Sequence, residues 1–468
     1  MLVRDSMSGK RVEVGESGGL RLYVCGPTVY DHVHIGNARA PLFWDVVARY
    51  LRNRGYDVTF VQNITDIEDK IINKANQEGV SWQEIVRRYT DSFHERLEML
   101  GIGMPDVEPR ATEHIPEMIS LIEDLIEKGH AYAPGNGDVY YSVESFPRYG
   151  RLSHQRPEEM RETEKGHTGY KRSPLDFALW KASKPGEPSW ESPWGAGRPG
   201  WHIECSAMVS KHLPGGADIH GGGTDIRFPH HENELAQSAA AHPDLPFVRA
   251  WAHHGMVTLA SGKMAKSVGN VLDVRRAVHL HGRNAVRMWL LQSHYSQPIE
   301  YTEEILEEKR RSYERLMRLC LQISGSQSSS RLSDTMAADL RESVDAAMQD
   351  DLNTPEALAT VFEVAGRAGR EISTRPEATG EFASVAEAIE EVMTIFGFDL
   401  ARELSTEVEG VYIRYAEEPG AEVLKRVATR ERARREKDWA TADRLRDELL
   451  AEDWAVEDAS EGPILSRR

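Results

Sequence analysis

Residues 221–238 read GGGTDIRFPHHENELAQS, two histidines and two glutamates packed behind a proline. Pro229 can occupy the first turn of a helix, where its missing N–H costs nothing. His230 and Glu234, four residues apart, then share one helical face. An imidazole and a carboxylate so placed can hold one cation. His231 and Glu232 point elsewhere on such a helix. Taken alone, the stretch reads first as a polar helix start. Two cysteines change the balance. Cys25 closes an apolar run just before a glycine turn, and Cys205 lies in GWHIECSAM. Cys25, Cys205, His230 and Glu234 would make a Cys2HisGlu zinc site. These donors are scattered rather than arranged in CxxC pairs, and either thiol alone also reads as buried and inert. Spacing therefore leaves the set open.

Two further stretches suit phosphate chemistry. In HVHIGNAR, residues His34, Ile35, Gly36 and Asn37 open a helix directly after a strand and a glycine turn. A helix N-terminus favours anionic oxygens, Gly36 lets a nucleotide approach the backbone, and an imidazole there could offset charge developing in transfer. In SGKMAKSVGN, Lys263 and Lys266 stand three apart in a Gly/Ser-rich loop. Ammonium groups on such a loop suit a polyphosphate. Each stretch by itself also reads as an ordinary helix cap or a solvated loop.

The elements that must carry these residues follow from periodicity. Leu20 to Val24 predicts a short strand. Leu42, Val46, Val47, Tyr50 and Leu51 recur at helical spacing, Gly55 stops that helix, and DVTFVQNI predicts a second strand. This βαβ-type start implies a parallel sheet whose ligands gather at the carboxyl ends of its strands. Residues 115–200, with APGNGDVYYSV and a Pro/Trp-rich stretch, read as loops and hairpins inserted between 1–114 and 201–302. Residues 303–400 read as an all-α helical bundle, and 401–468 end in a charged helix pair.

At 468 residues the chain needs more than one core. Lys and Arg number 57 against 75 Asp and Glu, a net charge of −18. That balance argues against nucleic-acid binding by the whole surface, yet KRVATRERARREK (425–437) is a local basic segment. Three widely spaced cysteines argue against a disulfide framework. The opening residues lack a signal-like apolar run and no stretch of eighteen apolar residues occurs, so a cytoplasmic protein with no membrane span is expected.

Taken together, HIGN (34–37) and KMAKS (263–267) resemble the HIGH and KMSKS motifs of class I aminoacyl-tRNA synthetases. YVCGPTVYDHVHIG, NITDIEDKI, SPWGAGRPGWHIECSAM, DIHGGGTDIRFPHHENELAQS, DLNTPEAL and KDWATADRLRDEL resemble blocks of the cysteinyl-tRNA synthetase family, from about residue 20 to 458. The resemblance implies a Rossmann-like α/β catalytic domain with an inserted connective subdomain, an all-α bundle and a small C-terminal anticodon-binding domain. It implies one Zn2+ held by Cys25, Cys205, His230 and Glu234, binding the substrate thiolate. The substrates it implies are L-cysteine, ATP with Mg2+, and cysteine tRNA. By the same resemblance His34, Asn37, Lys263 and Lys266 serve catalysis at the phosphates, beside Gly36. Thr65 and Trp201 shape the adenylate pocket, His220 stacks near the adenine, and Asp225 contacts the nucleotide or amino group. Trp439, Asp443 and Arg446, on one helical face, read unpaired anticodon bases. His231 and Glu232 are left for supporting roles, and a monomer is implied.

The chain departs from the family at Asn37, which keeps a donor but cannot carry charge at a position where the class tolerates variation, and at Ala265, where a changed rate rather than lost activity is expected. A rival is the related cysteine ligase of mycothiol biosynthesis, which joins cysteine to a glucosaminyl inositol. It shares the zinc site but should lack the full anticodon-binding end.

Overall fold

The computed structural model describes all residues except 16–18, 161–168, 260–261, 264–271, 324–328, 401–403, 416–418, 459–461 and 468. Two compact units emerge. One comprises Met1–Val274, Ser293–Glu300 and Met348–Asn353, and the other Arg275–Gln292, Tyr301–Ala347 and Thr354–Arg468.

The first unit opens with an antiparallel hairpin, β1 (Leu2–Arg4) and β2 (Arg11–Glu13). Strand β3 (Gly19–Val24), helix α1 (Ile35–Asn53) and strand β4 (Asp57–Gln62) follow, with Tyr23 opposite Val61 in a parallel pair. A helical crossover is what two parallel neighbours require. Helices α2 (Asp69–Glu78), α3 (Trp82–Met99) and α4 (Ile115–Glu127) come next. A second, antiparallel sheet then forms in the order β5 (Ala131–Tyr132), β6 (Val139–Tyr141), β7 (Phe177–Ala182), β8 (Gly197–Pro199). Helix α5 (Trp201–His212), β9 (Ala217–Gly223), α6 (Glu232–Ala241) and β10 (Val248–His254) return the chain to the first sheet. That sheet is parallel throughout, in the order β10-β9-β3-β4. A small third sheet joins β11 (Val257–Leu259), β12 (Gly262–Lys263) and β13 (Ile299–Glu300).

Two contacts lock the carboxyl ends of the parallel strands. A Cβ on Gly26 would fall 1.6 Å from the Asn63 carbonyl oxygen. Only glycine lets the chain leaving β3 lie against the chain leaving β4, and Gly26 N donates to Asn63 Oδ1 at 2.9 Å. On the other side, the buried Trp44 indole of α1 covers Gly221, whose Cβ would meet the ring at 2.6 Å. Its Nε1 donates to His254 Nε2 at 2.7 Å. The antiparallel sheet packs Tyr141, Phe177 and Leu179 against Met118 and Ile122 of α4, Ile203 of α5 and Ala236 of α6. Helices α5 and α6 thus rest on this sheet through apolar contacts that exclude water.

The second unit is helical before its last strands: α7 (Val274–His281), α8 (Arg283–Leu291), α9 (Glu303–Ile323), α10 (Arg331–Gln349), α11 (Thr354–Thr374) and α12 (Ala383–Ile395). Arg287 of α8 is buried and donates to the Phe396 carbonyl at 2.6 Å. This satisfies a charged donor that burial alone would destabilise. Strands β14 (Leu404–Val408), β15 (Val411–Tyr415), β17 (Ile464–Arg467) and β16 (Trp454–Glu457) form a sheet in that spatial order, with α13 (Ala421–Arg435) and α14 (Trp439–Ala451) packed on it. No helix among the described residues is long and apolar enough to cross a membrane.

Burial holds the His254 imidazole down at about 3, so it stays neutral and accepts the Trp44 hydrogen bond. An unfolded imidazole titrates near ~6.5. Below that pH the unfolded chain takes up a proton that the folded chain refuses. Stability therefore rises with pH across the window from about 3 to ~6.5 and levels off above it. Urea unfolding between pH 7 and 5 should show up to about 1.4 kcal/mol lost per unit from this residue. His254→Gln should remove that share of the slope. An unchanged slope in the variant would show that His254 does not titrate as its burial requires.

Candidate functional site

Four parallel strands end on one side of the sheet, and the polar residues just beyond them meet there. Cys25 follows β3, and its N–H donates to the Gly221 carbonyl of β9 at 3.1 Å. Cys205 lies in the second turn of α5, His230 in the turn before α6, and Glu234 in the first turn of α6. Cys25 Sγ is 3.7 Å from Cys205 Sγ and 3.6 Å from Glu234 Oε1. His230 Nε2 is 2.9 Å from Glu234 Oε1. One donor atom from each of the four residues lies within 4.8 Å of the others. Tetrahedral zinc spaces S, N and O donors by about 3.4–3.8 Å; the two sulfur separations fall in that range and the His230–Glu234 pair is a hydrogen bond at 2.9 Å, so the donor set suits a divalent cation with soft character. Trp201 stacks on the His230 ring at 4.2 Å and 17°, and His202 Nδ1 sits 3.1 Å from His230 Nδ1. These neighbours fix the ring with Nε2 toward the cluster, as supporting contacts around metal-binding imidazoles do.

The four side chains perturb one another strongly. Burial opposes charge on Cys205, but hydrogen bonds from Cys25 and His230 outweigh it and bring the thiol down to about 7. Burial and the neighbouring Cys205 push the Cys25 thiol up instead. Burial also disfavours charge on His230, yet Glu234 and Cys205 raise it to about 10.

Pro229 is not in the first turn of an α-helix. It lies in an irregular turn, Arg227–His231, where Phe228 is extended, and α6 begins only at Glu232. This changes where the neighbours of His230 point. His231 Nε2 lies 3.3 Å from Cys25 Sγ, and its Nδ1 lies 2.8 Å from His253 Nε2. An expectation that His231 points elsewhere is therefore corrected. Glu232 does turn away, accepting from Gly150 N at 2.9 Å and Ser153 N at 2.7 Å. His220 is also displaced from the role the resemblance gave it. It is fully buried, its ring 5.0 Å from Tyr23 and 4.6 Å from Trp251, and its Nε2 is 3.5 Å from both Cys25 Sγ and Glu234 Oε2. Such a ring offers no open face to an adenine. The sequence reading passed over His253 and His254, although a second HH doublet closing a strand was a visible signal. It also passed over Glu204, fully buried with both oxygens lacking a hydrogen-bond partner.

The cluster forms one end of an open cavity. A space of about 440 Å³ is lined by Cys25, Cys205, His230, Thr65, Trp201 and Asp225, and also by His34 and Asn37. An adjoining space adds Gly36, Arg39 and His254. His34 caps α1, its Nδ1 accepting from Gly36 N at 3.1 Å, while Asn37 Oδ1 accepts from His34 N at 3.3 Å. The structure thus brings His34, Asn37, Thr65, Trp201 and Asp225 around the space that Cys25, Cys205 and His230 border, with Gly36 in the adjoining one. The backbone of Lys263 pairs with Thr258 in the third sheet. Lys266 lies outside the described residues.

In the second unit, Ala442, Leu445 and Leu449 turn inward from α14. Trp439 is 57% exposed, and Arg446 Nη2 pairs with Asp443 Oδ1 at 3.4 Å. The basic segment is less free than its composition suggests. Arg430 and Arg434 both pair with Asp458 at 2.7 Å, Arg426 pairs with Glu452 at 2.5 Å, and Arg432 pairs with Glu409 at 2.5 Å. Arg435 and Lys437 make no ion pair among the described residues.

The tRNA synthetases class I (C) catalytic domain family matches residues 11–311, and the DALR domain family matches 343–401. The chain is 72% identical over 466 residues to a cysteine–tRNA ligase of Rubrobacter xylanophilus, covering all of this chain and 99% of that one. It is 44% identical to a cysteine–tRNA ligase of Anaeromyxobacter dehalogenans, covering 98% of each. In fold it is similar to a Mycobacterium tuberculosis methionyl-tRNA synthetase, with a TM-score of 0.62 at 18% identity over 81% of this chain and 90% of that one. With its parallel sheet, its helical second unit and full-length matches of this kind, the chain belongs to the cysteine–tRNA ligase family of class I tRNA synthetases.

Proposed function

We propose that this chain activates L-cysteine with ATP to cysteinyl-adenylate and transfers the cysteinyl group to the 3′ end of cysteine tRNA. The observation that carries the reading is a single cavity with a Cys2HisGlu cluster at one end and the N-terminus of α1 at the other. Cys25, Cys205, His230 and Glu234 would hold one zinc ion, which supplies a soft centre for the substrate thiolate and not for the hydroxyl of serine. Such discrimination can exceed the roughly 10- to 200-fold that one methylene provides, so no editing site is needed. Trp201 and Thr65 wall the amino-acid end, and Asp225 faces the amino group or the nucleotide. His34 and Asn37 receive the phosphates at the helix N-terminus, where the orphan amides favour anionic oxygens. Lys263 and Lys266 complete the neutralisation of the polyphosphate with Mg2+. The substrate carboxylate attacks the α-phosphate and pyrophosphate leaves. The terminal ribose hydroxyl of the tRNA then takes the acyl group. Neither step needs an enzyme nucleophile; positioning and charge stabilisation suffice.

Within this reading, 1–114 and 201–302 form the catalytic domain and 115–200 the connective insertion. Residues 303–400 form the bundle, and 401–468 recognise the anticodon through Trp439, Asp443 and Arg446. The exposed Trp439 ring beside the unpaired Arg435 and Lys437 supports that assignment, since stacking surfaces and cations are what unpaired bases require. A cytoplasmic monomer completes the proposal. The ligase of mycothiol biosynthesis is disfavoured, because the matches to cysteine–tRNA ligases run through the C-terminal region.

The purified protein should form cysteinyl-adenylate and charge cysteine tRNA; acylation of a sugar amine instead of tRNA would overturn the reading. Cys205→Ser should weaken zinc retention and raise the KM for cysteine together, measured by metal analysis and adenylate formation. Unaltered zinc affinity in that variant would remove Cys205 from the set. Trp439→Ala should raise the KM for tRNA about 5- to 150-fold, as loss of a stacked base of ~1–3 kcal/mol would, with adenylate formation unchanged. A normal tRNA KM would return Trp439 to a structural role.

A further inference from the structure

A concavity in the first unit lies outside the space that the cluster and the α1 N-terminus share. It opens where three stretches meet: the end of α5, the end of α6 and the chain entering β10. The space measures about 250 Å³, and Val209, Leu213 and Phe247 give it apolar walls. All three are buried in one core with Cys205, Met208 and Trp251. Ala217 N donates to the Phe247 carbonyl at 3.0 Å, tying the exit of α5 to the entry of β10. The walls are therefore formed before anything binds, as those of small-molecule sites commonly are. Leu245 also lines the space and is exposed, which puts it at the mouth.

The polar groups facing this space are few. Among the described residues no Lys, Arg, Asp or Glu lines it, so an ionised ligand would meet no counter-charge there. The Ser210 hydroxyl is already taken, donating to the Ser206 carbonyl at 3.0 Å. Ser238, in the last turn of α6, is different. It is 3% exposed, and its Oγ has no hydrogen-bond partner. Buried hydroxyls are seldom left so, and this one borders an apolar space open to solvent.

We propose that this concavity is a second small-molecule site, for a compact neutral ring compound whose one polar group pairs with the Ser238 hydroxyl. Size sets the class. A dry apolar cavity of about 150 Å³ is enough to take up benzene, so this space holds one substituted ring. A partner protein would need roughly 800 Å² of surface, which a concavity of this size does not offer. Composition sets the rest. Apolar walls reward a ring that leaves water, and a single orphaned hydroxyl rewards one hydrogen-bonding group placed at one edge of that ring. Amino acid, nucleotide and tRNA are all charged, so none of the substrates of the proposed reaction suits the site.

The probes are phenol and toluene, which share a ring and differ in one hydroxyl, with benzoate as the charged counterpart. Full-length protein, its catalytic cavity filled by a non-hydrolysable cysteinyl-adenylate analogue, is titrated with each by ligand-observed NMR. Phenol should saturate one site and bind about 2- to 10-fold more tightly than toluene, as one net hydrogen bond between neutral groups provides. Benzoate should not bind. Ser238→Ala should fold normally, because the hydroxyl it removes has no partner. It should erase the preference for phenol and leave toluene affinity unchanged. Leu245→Trp, at an exposed position, should fill the mouth and abolish binding of both rings. No saturable binding of either ring to the unaltered protein would overturn the proposal. So would binding that survives Leu245→Trp, or a phenol preference that survives Ser238→Ala, since the probe would then sit elsewhere. Cysteine activation and tRNA charging are measured separately, and none of these outcomes bears on them.

Discussion

The sulfur of Cys25 is held within hydrogen-bond or ligand distance of a thiol, two imidazoles and a carboxylate, all from other elements. In water such a gathering would drift apart, because like charges and hydrated dipoles have no reason to converge. Here the parallel sheet enforces it. Adjacent strands stand at a fixed spacing, so Cys25 after β3 and His220 within β9 are held close whatever their charge, and α5, α6 and the turn before α6 bring Cys205, Glu234 and His231 to the same place. Gly26 against Asn63, and Trp44 over Gly221, then lock the two chain exits on which the gathering depends. The energetic cost of confining these groups falls on the apolar contacts between α4, α5, α6 and the antiparallel sheet. The unfavourable site is therefore sustained by ordinary packing next to it.

Cavity and cluster are built from different parts of the chain, and this division assigns chemistry to each end. The N-terminus of α1 offers backbone amides and the His34 cap at one end. The sulfur-rich cluster lies at the other, where Trp201 stacks on His230. A hard, anionic group fits the first and a soft, anionic group the second. A molecule carrying both must lie along the cavity in one direction.

Much of this was legible in the sequence, for reasons that can be stated. Helical spacing from Leu42 to Leu51 and the flanking apolar runs marked β3, α1 and β4, because a two-sided buried sheet leaves so plain a pattern. His230 with Glu234 was legible as a four-residue spacing. His231 was not, since ideal helical geometry turns it away, and only the extended Phe228 and the irregular turn after it bring it back to Cys25. His253 and His254 close a strand, where successive side chains take opposite faces. One meets His231 and the other Trp44, a division that requires knowing which strands are neighbours. Pairing of Arg430, Arg426 and Arg432 was equally hidden, because Asp458, Glu452 and Glu409 are distant in sequence.

That pairing bears on how α13 and its surroundings meet a polyanion. An arginine already neutralised by a carboxylate of its own chain has few condensed counterions to displace from a nucleic acid, and displacement of counterions is what makes such binding steeply dependent on salt. Much of the charge in the segment richest in basic residues is thus balanced within the chain, tying α13 to Asp458, Glu452 and Glu409. What remains on the outside is a broad aromatic ring and a few cations. A surface of that kind discriminates by the shape and stacking of what it touches more than by long-range attraction, and it is frugal in a chain whose net charge of −18 repels nucleic acid at a distance.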